Sequence, residues 1–200
     1  MTAHRRFVSA VLAGLLLTGC AAQEKSAAAP PLADEPASVG STSAEKVALR
    51  NNAASLLYDL LGDEKDVSKV LYVKHGSKSL HALIQTISTT AQASRKQLEE
   101  IAQQDPQLNL QVMDLPVGEK AARASEGKSK EHDLLFSSGA EFEYNLLLTQ
   151  AEALNYGWHL AKVAGANSPD TAEAQTFQTL AQLMENLFHQ VARRMQGNPG

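Results

Sequence analysis

From about residue 43 onward, apolar residues recur at three- and four-residue spacing, and no stretch alternates with period two. The pattern predicts helices and no sheet. Thr42-Ser43-Ala44-Glu45 has the layout of a capping box, so a first helix is expected over 43–61. Its main face is Val47, Ala54, Leu57, Tyr58 and Leu61, and Leu49, Ala53, Leu56 and Leu60 form a second stripe. Two stripes imply a helix covered on two sides, by the rest of the chain or by a protein partner or second copy. Gly62-Asp63 is expected to end it.

A second helix is expected over 64–103, with Val73, Leu80, Leu83, Ile84, Ile87, Ala91, Leu98 and Ile101 inward. Gly76, Ser77 and Ser94 are its small inward positions, and its length of ~60 Å makes a kink near Gly76 plausible. Residues 104–128, broken by Asp105-Pro106 and Leu115-Pro116, form a long connection with some helix around 119–124. A third, very apolar helix is expected over 129–165. The last opens at Ser168-Pro169-Asp170, with Ser168 as cap and proline in the first turn. It carries a single face of Phe177, Leu180, Met184, Leu187, Phe188, Val191 and Met195, and Gly197-Asn198-Pro199-Gly200 stops it. The economical arrangement is an all-α, antiparallel four-helix bundle over 43–196.

The chain before this domain has another character. His4, Arg5 and Arg6 precede an apolar run from Phe7 to Leu17, too short to span a bilayer but suited to a secretory signal over 1–19. The run ends in Leu17-Thr18-Gly19-Cys20, which resembles the lipobox of bacterial lipoproteins. The resemblance implies cleavage before Cys20 and lipid attachment to its thiol, with enough acyl chains for stable anchoring. Ala21 in place of aspartate implies sorting to the outer membrane, with the protein facing the periplasm. Residues 20–42, rich in Ala, Pro and Ser and without an aromatic residue, are expected to be a flexible linker from the lipidated cysteine to the folded part.

Composition narrows the function. Cys20 is the only cysteine, which leaves no disulfide framework and no multi-cysteine zinc site. A net charge of −4 argues against nucleic acid as a partner. Gly127-Lys128-Ser129 looks like the end of a phosphate loop, but Ala122 stands where glycine is required. No nucleophile signature such as Gly-x-Ser-x-Gly occurs, so no enzyme is expected.

Leu115-Pro116, then Ser138-Gly139-Ala140-Glu141-Phe142-Glu143-Tyr144, then the apolar run through His159, together resemble a bacterial family of exported, ferritin-like four-helix proteins described as predicted outer membrane proteins. The resemblance implies an envelope bundle and brings no activity or cofactor with it. The family's usual Asp-His pair has no counterpart in the second helix. A ferritin-like metal site requires Glu-x-x-His on two helices, and none occurs here; the nearest pair is Glu185 and His189, four apart. A periplasmic metal-binding protein is therefore the alternative to a binding or structural role.

One feature of the third helix stands out. Its apolar arc centres near Glu143, Gln150 and Gly157, seven apart, and a buried carboxylate is costly unless paired. Either Glu143 meets the connector, a lysine or an arginine, or Glu143 and Gln150 form a polar patch in a cavity. In the second case Tyr144, Tyr156 and Trp158 lie nearby, able to hold a small amphipathic ligand.

Overall fold

The computed structural model describes residues 42–197. The expected signal peptide, with Leu17, Thr18, Gly19 and Cys20, and all of the expected linker but Thr42 lie outside the described residues, as do the last three residues of the chain. The described chain is all-helical: α1 Ser43–Glu64, a 3₁₀ segment Val67–Tyr72, α2 Lys78–Gln104, α3 Val117–Phe136, α4 Gly139–Ala166 and α5 Thr171–Met195. Helices α1, α2, α4 and α5 share one core that includes Leu57, Leu61, Ile84, Leu98, Phe142, Leu146, Phe177 and Val191. No described helix is long and apolar enough to cross a membrane.

The start of α1 is set by the expected capping box: Thr42 Oγ1 accepts from Glu45 N–H, and Glu45 accepts from Thr42 N–H at 2.7 Å. Its end differs from expectation. Gly62 and Asp63 are helical, and the glycine leaves room for a neighbour: a Cβ there would lie 2.1 Å from Arg95 Nη1. The Arg95 guanidinium lies over the Tyr58 ring, 3.9 Å from its centre.

The expected helix over 64–103 is two elements. Ser88 Oγ donates to the Lys65 carbonyl oxygen and lies within hydrogen-bonding distance of Ser68 Oγ, which folds the 3₁₀ segment back onto α2. Ser77 then restarts the helix as its N-cap, its Oγ accepting from Leu80 N–H. Ser77 is therefore exposed, Val73 points outward, and only Ser94 of the three small positions is buried by close packing.

The expected helix over 129–165 is also two. Residues 117–136 form α3, so the irregular connector shrinks to 105–116, and the chain turns at Ser137-Ser138-Gly139. Gly139 has φ +58°, a left-handed conformation that side-chain-bearing residues rarely adopt. That turn separates α3, which buries no residue, from α4, which buries nine. At α5 the cap is Asp170 rather than Ser168. Asp170 Oδ1 accepts from the N–H groups of Ala172 and Glu173, while Ser168 Oγ donates to the Ala164 carbonyl and to Glu173.

The connector explains much of the second stripe on α1. Asn51 Nδ2 donates to the Gln107 carbonyl, and Ser55 Oγ both donates to the Asn109 carbonyl and accepts from Val112 N–H. Ala53 and Leu56 are buried from within the chain, Leu60 reaches toward Gly157 of α4, and only Leu49 stays exposed, at 47%. Leu56→Lys should therefore lower the thermal midpoint by several degrees with no change in molecular size, while Leu49→Lys should leave both near the parent. Sedimentation alongside thermal unfolding checks this; a Leu56→Lys chain of unchanged midpoint would mean the stripe carries no packing.

Candidate functional site

The expected patch on the third helix separates into three surroundings. Glu143 is the fifth residue of α4, at the start of its second turn, and is partly exposed. Its Oε1 accepts from Ser77 N–H at 2.7 Å, and its Oε2 pairs with Arg194 at 3.1 Å. Burial alone would raise its pKa, but the Ser77 N–H and the Arg194 guanidinium outweigh that and hold it below the usual carboxylate range. Of the two expectations, pairing with an arginine is the one realised. Arg194 also donates to Ser77 Oγ and Ser79 Oγ, so this cluster pins the C-terminus of α5 to the N-termini of α2 and α4.

Two turns along α4, Gln150 is buried to 1% and meets Glu64 of α1. Two turns further, Gly157 packs between Met184 and Leu60. Tyr144 is exposed, Tyr156 hydrogen-bonds Arg123 of α3, and Trp158 lies beside Phe188 with Lys162 over its ring. Among the described residues these side chains have separate neighbours rather than a shared one. The correction has a simple cause: a seven-residue repeat shares a face but spans four turns, and each turn of α4 faces a different neighbour.

The most enclosed charge among the described residues is one that the reading of the apolar stripes passed over. Arg50 of α1 is fully buried, and its Nη1 donates to Asp105 Oδ2 at 2.7 Å and to Glu173 at 3.1 Å. Asp105 is the residue that ends α2, and Glu173 lies in the first turn of α5, so one guanidinium ties three segments together. The carboxylates are shifted in opposite directions. Burial raises Glu173, and the neighbouring Asp105 adds to it against the pull of Ser168 and Arg50. Asp105 is held low because the Gln107 N–H and Arg50 outweigh its own desolvation. A signal for Arg50 was present: it precedes Ala54, Leu57 and Leu61 by four, seven and eleven residues, which places it on their stripe.

Asp105, Glu173 and the capping Asp170 line an open cleft of about 490 Å³ with Ile101, Gln104 and Thr176. Its charge is acidic and its carboxylates are already engaged, by Arg50, Ser168 and the α5 N–H groups. The arrangement is structural, a clamp at one end of the helices matching the Arg194–Glu143 clamp at the other. Among the described residues, no three His, Cys, Asp or Glu side chains gather as a metal ion requires. Glu152 and His159 lie on the exposed side of α4, where Glu152 pairs with Lys130; His189 is likewise exposed and Glu185 half-buried. Comparison of the chain with protein-family models, with curated proteins and with solved structures gives no match.

Proposed function

We propose that this chain is a lipid-anchored lipoprotein of the bacterial cell envelope, held in the outer membrane by Cys20 and facing the periplasm, whose helices do binding or structural work. The four helices that share the core are read as an antiparallel four-helix bundle, with α3 added outside it. The observation that carries the binding role is the difference between the two ends. The linker enters at Thr42, at the end where Arg50 joins Asp105 and Glu173. The opposite end, where Lys74 Nζ donates to the Ser137 carbonyl and Ser77 meets Glu143, leaves Tyr72 85% and Phe136 76% exposed, with Val73 and Tyr144 also outward. Exposed aromatic side chains gathered at one place favour contact with another molecule.

The anchor and the binding end are tested separately. Cys20→Ser should move the protein from the membrane fraction to the soluble fraction or leave an unprocessed precursor. A native mature N-terminus that mass spectrometry finds unmodified would remove the anchor. For the binding end, a photo-crosslinking residue at position 136 should give a discrete adduct in envelope preparations, and one at Lys128 should not. Equal, diffuse labelling from both positions would leave the aromatic end without a role.

A further inference from the structure

Where α1 ends against α4, two oxygen atoms stand enclosed with no hydrogen-bond donor: Oε2 of Glu64 and Oε1 of Gln150. The side chains adjoin, and Gln150 lies close enough to draw the Glu64 carboxyl downward. Both orphaned atoms are acceptors, and one atom satisfies both. We infer that Glu64 carries a proton in the folded protein and forms a two-bond acid–amide ring with Gln150, so that α1 and α4 are joined by a proton-dependent latch. In that ring the Gln150 N–H donates to Glu64 Oε1, and the acid O–H on Oε2 donates to Gln150 Oε1.

The surroundings favour the neutral acid. The adjoining cavity is lined by Leu60, Leu61, Ile87, Ala91 and Met184 and has room for no more than about one water molecule. From α2 it receives Thr90 and Ser94, and from α5 Met184 and Leu187, none of them charged. On α1 itself Asp63 is the neighbour, and it repels a second negative charge. From α3 comes Lys130, but its ammonium is held between Glu126 and Glu152, at 2.6 Å from each. Burial, helped by Asp63, pushes the Glu64 carboxyl up to about 7 against the smaller pull of Gln150 and Lys130.

The sign of the linkage follows. An unfolded glutamate gives up its proton near 4.5, and the folded one near 7. Below about 4.5 both states are protonated and the latch contributes fully. As pH rises from there toward about 7 the unfolded chain loses its proton first, and stability falls. Above about 7 the contribution is gone. The span corresponds to up to roughly two orders of magnitude in the folding constant. Acidification therefore tightens the α1–α4 contact, and neutral to alkaline conditions loosen it.

Glu64→Gln keeps the ring without the proton, because an amide at position 64 donates to Gln150 Oε1 at every pH. Urea unfolding of the parent and of Glu64→Gln should agree at pH 4.5. At pH 8 the variant should have the larger folding constant, by roughly tenfold to a hundredfold. Other titrating groups cancel in the comparison. If the variant does not fold, ¹³C-carboxyl NMR of the parent decides: a Glu64 midpoint near 7 supports the latch. A midpoint in the ordinary carboxylate range, or a parent–variant difference that is the same at both pH values, overturns it.

Discussion

Arg50→Met should cost about 3–5 kcal/mol of folding free energy at pH 7, measured by urea unfolding followed by circular dichroism. The loss comes less from the missing attraction than from what stays behind. Glu173 is nearly as buried as Arg50, and without the guanidinium its charge keeps only the Ser168 hydroxyl as a partner on the inside of the bundle. Asp105 also loses its strongest donor, though the Gln107 N–H remains and the residue is partly solvated. Two consequences separate this account from a simple loss of side-chain packing. Lowering the pH should narrow the gap between variant and parent, because a protonated Glu173 no longer requires a counter-charge. Combining Arg50→Met with Glu173→Gln and Asp105→Asn should recover much of the loss, because removing a whole buried ionic set is far milder than removing one member. A single variant within about 1 kcal/mol of the parent would show that the cluster is solvated and structurally idle.

Phe177→Ala should be of comparable size, about 3–5 kcal/mol in the same assay. Phe177 is fully buried on the inner face of α5, where that helix comes close to α4: a Cβ added to Gly165 would stand 3.1 Å from its own Cβ. Close backbones cannot move further together to fill the vacated volume, so the cavity term is kept nearly whole. Leu183→Ala, on the outward side of the same helix, should cost less than about 1 kcal/mol. Equal losses for the two would contradict the placement of the core.

How far the sequence announces this architecture depends on the helix. In α5 one face carries nearly all the large apolar side chains, Leu183 being the exception, so periodicity identifies Phe177, Leu180, Met184, Leu187 and Val191 as core. In α1 it does not. Connector, α2, α4 and the Arg50 cluster surround that helix, and a buried arginine and serine interrupt the apolar stripe. In α4 the centre of the arc is right for Gln150 and Gly157, which are buried, while Glu143, nearer the helix start, stands at the rim and pairs with Arg194. The breaks at 73–77 and 137–139 were marked by Gly76 and Gly139 beside serines, but a smooth apolar period on both sides concealed them. The ionic clamps were the least legible part. Arg50 is 55 residues from Asp105 and 123 from Glu173, and no local pattern reports a partner at such distances.

Helix α3 has a consequence for how the sequence can vary. It buries none of its twenty residues and is held through Arg123 to Tyr156 and Lys130 to Glu152, with Leu134 resting on the core. Most of its side chains therefore carry almost none of the folding free energy, and substitution there is filtered only by helix propensity and those few contacts. The outer face of α3, short of Phe136, should therefore tolerate changes of charge and surface chemistry that the inner faces of α2, α4 and α5, bound by their fit to one another, would not.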